Sequence, residues 1–226
     1  MPEAATHDWF IEQREYERQE SRRGRRHAYE SLDARRTALV VIDLVPFFFE
    51  EDDPYVFGIV PHVNTLAAVM RGTGGLVVWV TPANTPVSAW DEEFFGPQVA
   101  ARYNTTGGTG PLEERVWHGL EVHDDDLFVE KSGFSAFFPG QSDLPDLLTD
   151  RGIDTIVVTG TVTNVCVEGT VRDAATRGWR VVVAGDACSC RRDQDHNASL
   201  RTMYRTFSDV RSTDEILGLL RAGTTV

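Results

Sequence analysis

Five short runs of β-branched and other apolar residues restrict the fold of this chain more than any other feature of its sequence. They are ALVVID (38–43), GLVVWVT (75–81), DLFVEK (126–131), DTIVVTG (154–160) and WRVVVAGD (179–186). Nearly every position in them is apolar, rather than every second one. A strand with one wet face alternates in polarity, whereas a strand apolar throughout is buried on both faces, as in a parallel sheet covered by helices on either side. Helical candidates lie between the runs, at Ile59 to Arg71, Asp143 to Asp150, Asn164 to Arg177 and His196 to Thr206. The first three are followed by Gly72, Gly152 and Gly178, and glycine most readily takes the left-handed conformation that ends a helix. Strands alternating with helices make βαβ units. The chain is therefore expected to be α/β, a doubly wound, mainly parallel sheet flanked by helices in a Rossmann-like three-layer sandwich. Small molecules bind such sheets beyond the carboxyl ends of the strands.

At 226 residues and 41% hydrophobic positions the chain has material for one core. Residues 1–36 stand apart, with eight arginines, eight acidic side chains and few large apolar ones. They are expected to form an N-terminal helical arm engaged in subunit contacts, and residues 37–226 to form the domain that carries the site. The RRGRRH stretch (22–27) is balanced by neighbouring acids, which makes it a solvated or subunit-wrapping surface rather than a nucleic-acid patch. The formal charge of −13 repels phosphate backbones and anionic lipid, so neither nucleic acid nor membrane is an expected partner. There is no apolar run of membrane-spanning length, and the charged start does not read as a secretory leader, so the expected location is the cytoplasm. Three cysteines, an odd number without metal-type spacing, read as reduced thiols. The long Gly-rich and aromatic stretch from Pro82 to Asp125 reads as a functional loop or partner surface.

Reactive groups gather at the strand ends. Asp43 closes the first run, Lys131 closes the third, and Cys166 follows the fourth by six residues. Read singly, each has an ordinary role: a helix cap, a solvated cation, a small core residue. Their placement on one edge of a parallel sheet is what joins them. Lys131 is the sole lysine among 22 basic residues, which directs attention to a place where a compact ammonium is needed and a guanidinium will not serve. Cys166 is expected in the first turn of a helix capped by Thr163 or Asn164. There, free amides and the helix dipole, with a nearby ammonium, can bring a thiol from a pKa of about 8.5 to about 7 or below. Asp43 would take the thiol proton, and Lys131 would hold the two anions together.

These residues lie in the motifs VVIDLVPFF, VEKSGFSAFF and VTGTVTNVCVEGTVRDAATRGWRVVVAGDA. On them the chain, from about Thr37 to Leu220, resembles the isochorismatase-like cysteine hydrolases, a family that includes nicotinamidases, N-carbamoylsarcosine amidase and ureidoacrylate and biuret hydrolases. The resemblance implies a Cys166, Asp43 and Lys131 triad working through a thioester intermediate. It also implies a non-proline cis peptide between Thr161 and Val162 that aims the backbone amides of Val162 and Cys166 at a substrate oxyanion. Homo-oligomers, dimers or tetramers, are implied as well.

Departures from the family pattern narrow the expectation. Where nicotinamidases carry an Asp and His metal set after the second strand, this chain reads VTPANTPVSAW, with no histidine and no aspartate before Asp91. No metal or other cofactor is expected, and nicotinamide is not an expected substrate. Val45 stands where the family often has glutamine. Retention of Cys166 favours a small linear amide, carbamoyl or ureide C–N bond as the target. The rival readings are an isochorismatase-type vinyl ether hydrolase with Asp43 as acid, and a non-catalytic binding protein on the same fold. Pocket walls are expected from Phe48, Asn84, Trp90, Phe134, Phe137 and Phe138. Cys188, Cys190 and His196 read as residues that pack and bond locally.

Overall fold

The computed structural model describes residues 3–50 and 53–223. After helix α1 (Gln13–Arg23), the chain runs β1 (Thr37–Ile42), the single turn α2 (Pro46–Phe49), α3 (Pro54–Gly72), β2 (Leu76–Pro82), α4 (Ala89–Phe95), α5 (Pro97–Tyr103) and β3 (Leu127–Lys131). It continues through α6 (Leu144–Asp150), β4 (Thr155–Thr161), α7 (Glu168–Thr176), β5 (Arg180–Ser189), α8 (Asp193–Thr206), β6 (Asp209–Arg211) and α9 (Thr213–Gly223). The six strands form one sheet in the order β3-β2-β1-β4-β5-β6 with every pairing parallel. The doubly wound sheet expected from the sequence is thus the fold. No described helix is long and apolar enough to cross a membrane.

The uniformly apolar runs have a direct cause. Successive strand residues point to opposite faces, and here both faces are covered. Val40, Ile42, Val80 and Val158 enter one core beneath α6, α7 and α8, together with Leu144, Val171 and Met203. Leu39, Val41, Trp79 and Val157 enter the other beneath α3 and α9, together with Val63, Leu66 and Ile216.

Several elements differ from the sequence-based expectation. Helix α3 begins at Pro54, five residues before Ile59, because Asp53 caps it by accepting from the Tyr55 amide at 3.0 Å and proline suits the first helical position. Helix α8 likewise begins at Asp193 rather than His196, and β6 and α9 extend the fold past the last expected helix. The segment from Pro82 to Asp125 holds two seven-residue helices, α4 and α5. The arm is helical in part and lies along its own chain: Arg201 pairs with Glu12 at 3.0 Å, Arg205 pairs with Glu15, and Gln19 donates to the carbonyl of Arg205.

The order 3-2-1-4-5-6 reverses direction between β1 and β4, and this is where an open α/β sheet forms its crevice. Ile42 pairs with Gly160 at that edge, so the chain leaving β1 and the chain leaving β4 diverge from neighbouring points. Gly160 has φ +114°, and a Cβ there would stand 2.1 Å from the Ile42 carbonyl oxygen. Only glycine permits this approach.

Candidate active site

Asp43 follows β1 directly and adopts φ 56°, the one non-glycine residue with positive φ among those described. Its amide donates to the Val80 carbonyl of β2 at 2.9 Å, so the main chain turns sharply while the carboxyl points into the crevice. Lys131 ends β3, two strands away. Neighbouring strands lie about 4.8 Å apart, a span of two that the four-carbon lysine stem bridges. Its Nζ lies 2.8 Å from Asp43 Oδ2 and 3.6 Å from Cys166 Sγ, and it donates to the Gly133 carbonyl at 3.1 Å. Asp43, Lys131 and Cys166 are 1%, 3% and 8% exposed. The three groups therefore meet in a nearly dry place.

Cys166 sits otherwise than expected. It belongs to a wide, π-type turn at Thr163–Val167 that precedes α7, not to the first turn of a capped α-helix. Neither Thr163 nor Asn164 caps: the residue before the turn is Val162, whose carbonyl accepts from the amides of Val165 (3.0 Å) and Val167 (3.3 Å). The Thr161–Val162 peptide is cis. The thiol also departs from the expected depressed pKa. Burial, reinforced by the Asp43 charge, pushes it well above the ordinary thiol range, and Lys131 opposes this only in part. Burial likewise raises the Asp43 carboxyl against the pull of Lys131. The Lys131 ammonium, disfavoured by burial, is held above its usual value by the charges of Asp43 and Cys166. Burial thus works against both anions, and Lys131 is the cation that opposes it. Asp43 Oδ1 is buried without a hydrogen-bond partner, an acceptor in reserve.

The turn that carries Cys166 contributes Val162 and Val165 to the walls of a cavity of about 590 Å³, with Phe47, Phe48, Tyr103 and Arg191; Asp43, Lys131 and Cys166 lie behind these walls and do not line it. Phe48 is among the expected wall residues; Phe47, Tyr103 and Arg191 are not. The other expected residues are dispersed. Phe137 is fully buried and packs edge to face on Trp179 at 5.3 Å, so it belongs to the core. The reason is local: Ser135 Oγ accepts from the amides of both Phe137 and Phe138, turning the chain so that one ring goes inward and the other outward. Phe134 and Phe138 are each more than half exposed. Trp90 is exposed on α4, stacked on Phe94, and Asn84 is exposed and donates to the Gly108 carbonyl at 2.6 Å. Neither lines this cavity.

Among the described residues, His7, Cys190 and His196 bring three potential metal-ligating atoms within 4.8 Å of one another. The geometry does not suit an ion. The two imidazoles are stacked at 4.1 Å with an 11° interplanar angle, so their in-plane lone pairs run side by side instead of converging. All four ring nitrogens are also in hydrogen bonds.

Comparison with known proteins agrees with this architecture. The isochorismatase domain model matches residues 37–215. The chain belongs to the isochorismatase family. An isochorismatase family protein of Escherichia coli O157:H7, YecD, is 34% identical over 195 residues, which is 84% of this chain and 98% of that relative. The N-carbamoylsarcosine amidase of an Arthrobacter species is 35% identical over 193 residues, 83% of this chain and 72% of the amidase. Among solved structures, a cysteine hydrolase from Pseudomonas syringae pv. phaseolicola 1448A superposes with a TM-score of 0.75 at 25% identity, covering 87% of this chain and 98% of that one. The protein is thus an isochorismatase-family hydrolase with amidase relatives. Residues 3–36 precede the segment that the family model matches.

Proposed function

We propose that this hydrolase cleaves a small linear amide, carbamoyl or ureide C–N bond through a thioester formed on Cys166. The observation that carries this reading is one ammonium, Lys131 Nζ, within 2.8 Å of the Asp43 carboxyl and 3.6 Å of a thiol, on a turn whose Val162 and Val165 wall a cavity of small-molecule size. The named activity of the Arthrobacter relative, an amidase, points the same way.

In the proposed cycle a bound carbonyl carbon comes within reach of the sulfur. The S–H proton passes to Asp43, and the sulfur adds to the carbon. The oxyanion so formed accepts from the amides of Val162 and Cys166, which the cis peptide and the π-type turn would aim at one point. As the C–N bond breaks, the leaving nitrogen takes the proton from Asp43 and departs as ammonia or an amine. Water then gives a proton to Asp43 and attacks the thioester; the C–S bond breaks and the thiol recovers its proton. No net oxidation occurs, and the lysine keeps its charge throughout. Because burial disfavours the thiolate, proton transfer is expected to accompany attack instead of preceding it.

The deciding experiment is a panel of amides, carbamoyl amino acids and ureides assayed with the parent chain and with Cys166→Ala. Turnover is expected to vanish in the variant with the circular dichroism spectrum unchanged. Intact-mass analysis of the parent with a slow substrate should show an acyl adduct. A variant of near-native rate would end the thioester reading.

A further inference from the structure

We infer that the N-terminal arm is a working part of the site: His7 positions the nucleophile turn by clamping His196 against Thr163. The inference rests on the reading of Cys166 as the nucleophile and adds to it a residue from outside the family segment.

The contacts run in one line. Thr163 opens the turn that carries Cys166 and is fully buried. Its hydroxyl is 2.9 Å from His196 Nδ1, and His196 Nε2 is 3.0 Å from the Gly185 carbonyl oxygen. A carbonyl only accepts, so Nε2 bears the hydrogen and Nδ1 accepts from the threonine. Burial drives the His196 pKa down to about 3, which keeps the ring neutral and this tautomer intact. Ser199, one turn along α8, donates to Glu168 Oε2 at 2.5 Å, just past the turn, with its oxygen 3.2 Å from the Thr163 carbonyl oxygen, so helix α8 holds both ends of the turn.

His7 closes the arrangement from the other side. Its ring is stacked between Tyr55 (3.9 Å, 10°) and His196 (4.1 Å, 11°), filling the space between α3 and α8. The Cys190 amide donates to its Nε2 at 3.1 Å, so Nδ1 carries the hydrogen and donates to Asp193 at 2.6 Å. Cys190 also lines the cavity beside the turn. The arm reaches this place by lying on Gly58 of α3, where a Cβ would stand 1.9 Å from the Ala5 carbonyl oxygen, and the Ala5 amide donates to Pro54 at 3.1 Å. Parallel stacking, a fixed tautomer and two hydrogen bonds leave His196 one orientation, and through it Thr163.

The test uses the full chain with His7→Ala and, separately, Gly58→Val, which displaces the arm at Ala5 without touching the clamp. Amide hydrogen exchange in residues 160–170 is expected to rise about tenfold in both variants, with residues 144–150 of α6 unchanged, since a local opening and not the global one is affected. Alkylation of Cys166 by iodoacetamide, located by peptide mass, is expected to quicken at least about fivefold, because a loosened turn opens access to a sulfur that is 8% exposed and relieves the burial that disfavours its thiolate. Unchanged exchange in 160–170, unchanged or slower alkylation, or loss of the whole fold in both variants overturns the inference, the last by assigning the arm to stability alone. Failure of the thioester reading looks different: Cys166→Ala would stay active while exchange in the turn still answered to His7.

Discussion

Lysine at position 131 is the most exacting choice in the molecule. Its ammonium must fit among Asp43, the Gly133 carbonyl and the Cys166 sulfur while 3% exposed. Lys131→Arg keeps the charge but replaces a point donor with a broad planar fork; kcat is expected to fall by about two orders of magnitude, the scale of a displaced proton-transfer group. A normal rate in steady-state assays would make the lysine incidental. The positions of Asp43, Lys131 and Cys166 were legible in the sequence because each stands at or just beyond an apolar run, and the parallel sheet brings such ends together. The upward push on the thiol was not, because burial is set by packing that no local pattern encodes. Nor was the inward turn of Phe137 beside the outward Phe138, which depends on one serine hydroxyl. His7 was the least legible of all, since its partners Tyr55, Cys190 and His196 come from distant segments with no periodic relation to it.

At the level of elements, the register of β1 against β4 is what fixes the crevice. Gly160→Ala would press a methyl onto the Ile42 carbonyl in a backbone conformation alanine avoids, and should lower unfolding free energy by about 3 kcal/mol, a large value for one methyl group. Urea denaturation followed by circular dichroism measures this; a loss under about 1 kcal/mol would mean that the two strands separate without penalty. The five long strands could be read from the sequence because both faces are buried and their runs are continuous. Helices α4 and α5 span two turns each, as does α6, but they lie inside one long stretch between strands, whereas α6 stands just ahead of the Gly152 stop and the β4 run; β6 spans only three residues. Helix α3 carried its own start signal, an aspartate followed by proline, just ahead of the periodic stretch.

For the molecule as a whole, His196 links stability to acidity. Its folded pKa is depressed from 6.5 to about 3, so between those values the unfolded chain binds a proton that the folded chain refuses. Stability from this group is complete above pH 6.5 and is lost as the pH falls, by about 1.4 kcal/mol per unit. Comparing the parent with His196→Gln by denaturant titration at several pH values should show a difference of about 2 kcal/mol accumulating between pH 6.5 and about 5. Parallel curves would place the titration elsewhere. Below the ordinary carboxylate range Asp126 adds to the loss: burial works against its charge, but Arg71 and Trp79 outweigh it and hold its pKa down. The expected homo-oligomer is also tested at this scale. Trp90 and Phe94 form a stacked pair, 53% and 68% exposed, on α4. Light scattering should give a dimer or tetramer mass that Trp90→Ser with Phe94→Ser reduces, and a monomeric parent would remove that expectation.

A chain whose sole lysine lies 3% exposed between a carboxylate and a thiol has no lysine ammonium on its surface. Amine-directed reagents such as succinimidyl biotin or aldehyde cross-linkers would therefore find no external lysine to modify. Any lysine labelling that did occur would report that the crevice had opened, which makes the residue a built-in gauge of access to its own pocket.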